Sequence, residues 1–277
     1  MPELPEVERA RRLAARVTVG RTVVAVSCAQ DPIVFDGVSE AQVQRALLRR
    51  TVVDTHRRGK HFWLALDRRP WPCFHLGMTG DVRTRDEKPI QLASSLGTRN
   101  GAWPPRFTKL HLTMDDGGEL AVTNKRRLGR IRLREDPGTE PPINALGFDP
   151  VLDLPSPARF TEQLRTRSAV IKSLLLDQAF AAGVGNWIAD EVLYQAGIDP
   201  RRRANTLSSL EARRVRLTLK RVVETAVRAD ADASRFPRTW LFHQRWGRRA
   251  GAHVGDRPVE HLTIGGRTTA WVPSVQR

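Results

Sequence analysis

Cysteine is scarce in this chain: Cys28 and Cys73 are the two among 277 residues. Both lie in apolar text without metal-ligand spacing. A disulfide framework and a paired-cysteine zinc site are therefore excluded, and buried thiols in a reducing compartment are expected. Negative charge is also in short supply. The 30 Asp and Glu face 46 Lys and Arg, a formal charge of +16 with an isoelectric point near 11.3, so a polyanionic partner is expected. The deficit is deepest at the back, where residues 201–277 carry 17 Lys and Arg against 6 Asp and Glu. No apolar run is long enough to cross a bilayer, and no signal-peptide pattern precedes the acidic start. A cytoplasmic chain with no membrane partner is the expectation. Disorder is excluded by an apolar fraction of 40% and seven Trp, more than a ribosome-associated RNA-binding protein, which explains only the charge, would need.

What is present sorts into two domains and an appendage. Residues 3–16 place Leu4, Val7, Ala10 or Arg11, and Ala14 on one helical stripe. After Gly20 the text turns to β-branched alternation, TVVAVSCA and then TVVDTHRRGKHFWLAL, separated by a short amphipathic helix over AQVQRALLRR. The second stretch is broken at residues 56–60, a basic turn that holds Lys60 in a tight loop. CFHLGMTG reads as a strand ending in a Gly-bracketed turn with Met78 at its tip, an odd place for packing but a useful one for an apolar wedge into a base stack. Residues 83–105 are polar and rich in Pro, Gly and Ser and are expected to be irregular. KLHLTMDDGGELAVTN is a hairpin turning on Asp115, Asp116, Gly117 and Gly118, followed by KRRLGRIRL, in which Arg126 and Arg127 precede Leu128. Together these predict a β-sandwich or barrel with flanking helices over residues 1–135.

A proline-rich linker is expected over 136–158, then a helical domain over 159–235. ARFTEQLRTR, AVIKSLLLDQAF, WIADEVLYQAGI and LSSLEARRVRLTLKRVVETAVRA all have helical apolar spacing. Between the second and third, the turn AAGVGN restarts a helix at Asn186, which offers backbone N–H groups and a side-chain amide to a phosphate; a plain Gly-capped helical hairpin fits the same text. Residues 236–277 read as β-like again. TWLFHQRWGRRAG and HLTIGGRTTAWVP are taken as two strand-like runs, with Gly265 and Gly266 turning tightly before Arg267.

The chemistry concentrates at the start, Met1-Pro2-Glu3-Leu4-Pro5-Glu6. An initiator Met before a small residue is normally removed, which would leave Pro2 with a free secondary amine. Such an amine attacks electrophilic carbon, and on a sugar C1′ it gives an iminium that weakens nearby base and phosphate bonds. Glu3 and Glu6 supply carboxylates to move protons. The same residues also fit an ordinary helix start, with prolines in the first turn and acids complementing the dipole.

Six stretches in order, MPELPEVE, RRGKHF, HLGMTG, KRRLGRI, IKSLLLDQAFAAGVGNWIADEVLYQAGIDP and GGRTTAWVPSVQ, resemble the bacterial formamidopyrimidine-DNA glycosylases and their endonuclease VIII-like relatives over nearly the whole length. The resemblance implies an α+β protein: an N-terminal β-sandwich, a helix-two-turns-helix domain and a terminal β-hairpin, the finger. It implies a bifunctional glycosylase and abasic-site lyase that removes oxidised bases without a cofactor. The partner would be double-stranded DNA with damaged bases or abasic sites, bound by a nucleoid-associated monomer. Pro2 would be the nucleophile, Glu3 the proton shuttle and Glu6 a further acid. Lys60, Asn186 and Arg267 would bind phosphates, while Met78 and Arg127, beside Arg126 and Leu128, would fill the hole left by the flipped base. A catalytically silent protein of the same fold that binds lesions or kinked DNA is the alternative. The chain departs from the family's pattern at Leu128, where an aromatic is usual, and at Asn124-Lys125, where Asp-Pro is. No Cys follows Phe236, and Val272 and Val275 stand where the second zinc pair would be. Residues 230–242 are also short. A finger without metal is expected, held by Trp240, Phe242, Trp246, Ile264, Trp271, Val272 and Val275. The base removed and the preferred opposite base are left open.

Overall fold

Alternating apolar residues demand pleated strands, because successive side chains project to opposite faces. The computed structural model, which describes residues 2–85, 102–246 and 251–277, bears this out for the first half. Its elements are α1 (Leu4–Thr18), β1 (Val23–Cys28), α2 (Glu40–Leu47), β2 (Val52–Arg58), β3 (His61–Leu66), β4 (Trp71–His75), β5 (Gly80–Thr84), β6 (Thr108–Met114), β7 (Glu119–Asn124) and β8 (Arg130–Arg134). They form two four-stranded antiparallel sheets, ordered β1-β6-β7-β5 and β2-β3-β4-β8. One core serves both: Leu110, Leu112 and Val122 from the first sheet meet Phe62, Leu64 and Phe74 from the second, sealed by Val7 and Leu13 of α1 and Val43 and Leu47 of α2. Each such fully buried side chain contributes about 1.5–3 kcal/mol. α1 is thereby fixed along its whole apolar stripe, so anything at its N-terminus stands on a rigid base.

Two expectations change in this half. The basic stretch 56–60 is not a loop throughout. β2 continues through Arg58, which pairs with His61, so the turn is Gly59 and Lys60 alone. Within residues 83–105, Arg83 and Thr84 belong to β5, paired with Ala121 and Leu120, and residues 86–101 lie outside the described residues.

Clustering of the chain gives a first unit, Met1–Ala145 with Asp230–Ser234, and a second, Leu146–Ala229 with Arg235–Arg277. The second holds α3 (Pro157–Arg165), α4 (Ile171–Leu176), α5 (Asn186–Ala196), α6 (Ser209–Arg228) and the strands β9 (His253–Val254), β10 (Arg257–Pro258), β11 (Glu260–Ile264) and β12 (Arg267–Trp271). α5 stops at Gly197 in the left-handed conformation, φ 68°, as a Gly cap should. α4 is shorter than its text suggests, because the Asp177 carboxylate takes the Ala179 N–H and turns the chain.

The finger also differs from its reading. TWLFHQRW is not a strand: Leu241–His243 forms a single 3-10 turn. The Phe242 N–H goes to the Glu191 carboxylate at 2.8 Å, leaving it unavailable to a strand ladder. Phe236, Trp240 and Phe242 converge on Trp187 of α5, with ring centroids 5.7, 6.4 and 5.2 Å away. The hairpin is β11 and β12, joined by Gly265 and Gly266, both at positive φ, the geometry of the tight turns that suit strand twist.

Candidate active site

α1 begins with a reciprocal cap. Glu3 is the N-cap residue, and Glu6 returns to accept the Glu3 N–H at 3.1 Å while the Glu3 side chain receives an N–H of the first turn. Pro2, Glu3 and Glu6 are all buried. Burial foremost, with the Glu3 charge adding, pushes the Glu6 carboxyl up to about 7. The helix-start reading holds for these residues, with Glu3 at the N-cap, Pro5 in the first turn and Glu6 closing the box, but the acids are buried. They form a desolvated carboxyl pair at the head of α1, in which Glu6 can exchange a proton near neutrality.

The Lys60 turn is anchored to the same helix. Arg57 donates from Nε to Glu8 at 3.1 Å and from a terminal nitrogen to the Gly59 carbonyl at 3.1 Å. Arg11 and Arg12 also donate to Glu8, and Arg11 reaches the Thr55 hydroxyl at 2.9 Å. Burial raises the Glu8 carboxyl, but Arg11, Arg57 and Arg12 outweigh it and hold it below the usual range. Lys60, at that turn, is itself buried. Beside it, His61 and His75 face each other across β3 and β4, ring centroids 4.8 Å apart. Burial and neighbouring cations lower them to about 3 and about 4. Sequence reading passed over this neutral histidine pair; the signal was one His in each of RRGKHF and CFHLGMTG.

The predicted wedge residues come together around Asn124. Its amide donates to the Leu76 carbonyl at 3.0 Å and accepts the Leu128 N–H at 3.1 Å, tying the Met78 turn to the loop that carries Arg126 and Arg127. Gly77 is required here: a Cβ would lie 2.4 Å from the Leu128 backbone. Met78 is half-buried, while Arg126 and Leu128 are exposed. The two arginines separate. Arg127 is clasped by Asp31 through contacts of 3.0–3.1 Å, with Lys109 on the same carboxylate at 2.7 Å. Although burial opposes ionisation, these cations hold Asp31 down to about 2. The Arg126 side chain has no partner among the described residues.

In the second unit, Asn186 begins α5 and donates to the Thr268 carbonyl of β12 at 2.8 Å, while its Oδ1 is sequestered without a hydrogen bond. The preceding turn is stapled by Gln178, which contacts the Leu176 and Val184 carbonyls and the Gly183 N–H. Arg267 is exposed at the hairpin turn. Beneath it lies a network that sequence reading missed. Lys172 meets Asp190 at 2.5 Å and the Thr269 hydroxyl at 2.6 Å, and Arg245 meets the other Asp190 oxygen at 2.8 Å. Asp190 also accepts the Ala270 N–H at 3.2 Å. The one available signal was Lys172, a cation inside the apolar run IKSLLL. The finger's apolar residues pack as a cluster of Leu241, Ala252, Val254, Val259, Ala270 and Val272 with Tyr194 and Val275. Of the residues expected to hold it, Trp246 is exposed and the other six are buried or partly so. Among the described residues no group of three His, Cys, Asp or Glu is placed to hold a metal ion, and no helix is long and apolar enough to cross a membrane.

A sandwich that opens on a helix with buried N-terminal acids, followed by a helical unit whose hairpin carries an arginine, defines a class of DNA-repair glycosylase. The family models agree. The formamidopyrimidine-DNA glycosylase N-terminal domain matches residues 1–131 and that family's H2TH domain matches residues 146–238. The formamidopyrimidine-DNA glycosylase of Arabidopsis thaliana is 40% identical over 277 residues, all of this chain and 71% of its own length. The Thermus thermophilus MutM (Fpg) structure is 30% identical with a TM-score of 0.76, covering 99% of this chain and 98% of that one. The Lactococcus lactis glycosylase, solved non-covalently bound to DNA containing an abasic site, shares the fold at 23% identity, with a TM-score of 0.81 and 99% of each chain covered. The chain belongs to the formamidopyrimidine-DNA glycosylase family.

Proposed function

We propose that this protein excises oxidised bases from duplex DNA and cleaves the strand at the abasic site through an iminium on Pro2. The observation that carries the reading is the buried Pro2, Glu3 and Glu6 at the head of α1, fixed to the Lys60 turn through Glu8, Arg57 and Gly59. A base stacked in a duplex hides its C1′, so the nucleotide must be turned out at a cost of a few kcal/mol. Lys60, and from the second unit Asn186 and Arg267, bind the phosphates flanking the lesion with charge-assisted contacts. Met78 and Leu128 enter the gap with Arg126, which has no partner among the described residues; Arg127 joins them on exchanging Asp31 for DNA. Once Met1 is removed, the Pro2 amine forms a bond to C1′ as the base departs with the glycosidic electron pair. The C1′–O4′ bond then breaks, O4′ leaving with the electrons of that bond and taking a proton, while the Pro2 nitrogen, having given up its own proton, forms the iminium. Glu3 delivers and withdraws the protons this requires, and Glu6 buffers Glu3. The resulting iminium acidifies C2′, whose proton loss expels the 3′ phosphate, and a second elimination expels the 5′ phosphate. Duplex DNA is the partner, and no external cofactor enters any step.

Borohydride reduction tests this. Wild-type protein mixed with abasic-site duplex should give a covalent adduct in good yield, and Pro2→Gly, with a primary amine on a looser chain, should lose most base excision. Absence of any adduct with the wild type, alongside tight binding to the same duplex, would establish the catalytically silent alternative.

A further inference from the structure

Phe107 stands out in the first unit. It is 39% exposed and sits at φ +66°, a conformation that costs an L residue on the order of 1–2 kcal/mol. Among the described residues, the ring is not part of the sandwich core. Instead it is flanked by cations, the Arg106 guanidinium 4.8 Å and the Lys125 ammonium 5.8 Å from its centroid. Backbone bonds enforce the geometry: the Phe107 carbonyl accepts the Asn124 N–H at 3.0 Å, and the Thr108 N–H closes the turn on Pro105 at 3.2 Å. Asn124 is also the residue that ties Leu76 to Leu128. Phe107, the Met78 turn and the Leu128 loop are therefore three arms of one knot. The loop from Lys125 to Gly129 contains no aromatic of its own.

We propose that Phe107 is a base-stacking residue of this protein, taking the face of a nucleobase left exposed when a damaged nucleotide is turned out. The inference rests on the reading of the site as one that acts on damaged duplex DNA. An exposed ring set between phosphate-seeking cations is the arrangement that holds unstacked bases without reading their sequence. A strained backbone kept at an exposed aromatic points the same way. Phe107 supplies the flat surface, Leu128 and Met78 supply bulk, and Arg106 and Lys125 move to the phosphates.

The test uses Phe107→Gly, because glycine suits the observed φ. Wild type, Phe107→Gly, Phe107→Tyr and Arg106→Ala are titrated onto one duplex with a tetrahydrofuran abasic analogue and onto its undamaged counterpart, across a salt series. Phe107→Gly should bind the abasic duplex roughly 5- to 150-fold more weakly, the range for losing one aromatic–base stack, with little change on undamaged DNA. Its salt slope should stay at the wild-type value, since a neutral ring releases no counterion, whereas Arg106→Ala should lower the slope by about one. Phe107→Tyr should bind as wild type. The melting temperature of Phe107→Gly should be unchanged or raised. Wild-type affinity in Phe107→Gly, equal losses on both duplexes, or a lowered melting temperature would each overturn the stacking role. Loss of the inference alone appears as a trapping-competent wild type matched by Phe107→Gly. A wild type that neither traps nor prefers the abasic duplex would overturn both this and the function it rests on.

Discussion

Each unit gathers two cations on one aspartate, but in opposite ways. In the first, a buried Asp31 holds Lys109, itself largely covered, and Arg127, whose side chain is 49% exposed. In the second, Asp190 holds Lys172 and Arg245 with side-chain exposures of 0% for Asp190 and Lys172. An exposed guanidinium can leave its carboxylate for a phosphate at small cost, because water screens the exchange. A sealed one cannot. On the proposed function, the first cluster sits on the loop whose Arg127 exchanges Asp31 for DNA, and the second lies beneath the strand that begins with Arg267. Asp190 accepts the Ala270 N–H and Lys172 binds Thr269, so the buried charges reach the strand that begins with Arg267.

Replacing each aspartate by alanine breaks that comparison at its strongest point. Asp190→Ala strands two buried cations and should cost about 3–5 kcal/mol, read as a fall in the urea midpoint of the second unit. Asp31→Ala leaves Arg127 exposed to water and only Lys109 largely covered, and should cost about 1–3 kcal/mol, less than the loss of Asp190 and on the scale of a lost charged hydrogen bond. Equal losses would show that exposure does not separate the clusters.

The sandwich, the opening helix and the tight turn before Arg267 were legible because their pattern is local. Strand alternation in TVVAVSCA and a Gly-Gly turn before Arg267 need only neighbours to be read. The clusters were not legible, since Arg127 and Asp31 are 96 residues apart and Lys172 and Thr269 97. No period in the text links such pairs. TWLFHQRW misled for a related reason: its aromatics suit a strand, but they turn inward on Trp187 of a distant helix. Of the candidate site, Pro2, Glu3 and Lys60 were visible as residue types at motif positions. Their burial, and the Glu8 and Arg57 link between them, were not.

Acidic groups sharpen the contrast at smaller scale. Each unit has one glutamate pushed up to about 7 chiefly by burial, Glu6 and Glu191. A raised folded pKa means that the native state binds the proton more tightly, so the stabilisation is full below about 4.5 and is lost as pH rises through about 7. Only the first unit adds the lowered His61 and His75, whose contribution runs the other way and is lost as pH falls from about 6.5 towards 3 and 4. The wild-type curve of the first unit should thus be flatter than either trend. Glu6→Gln should match wild type near pH 4 and exceed it by up to about 3 kcal/mol near pH 8, measured by urea melts across that range. A constant difference between the two proteins at every pH would mean that Glu6 does not titrate with folding.

The smallest expected effect is none at all, and it concerns metal. A structural zinc site needs about four Cys or His ligands in close pairs. Between Phe236 and Arg277 the chain offers only His243, His253 and His261, without Cys. His243 directs Nε2 to the Pro237 carbonyl and His253 directs Nδ1 to the Gly251 carbonyl, each serving its own turn. On the expected metal-free reading, the hairpin is anchored by the Asp190 charges and by the cluster around Leu241 and Val272. Prolonged chelation should therefore leave strand cleavage and melting temperature unchanged, and purified protein should contain no stoichiometric zinc. Asp190→Asn, in contrast, should weaken DNA binding as Arg267→Ala does, by on the order of tenfold, because the arginine loses its footing. About one zinc per chain with activity lost on chelation, or an Asp190→Asn protein that stays folded and binds as wild type, would assign the hairpin's anchorage elsewhere.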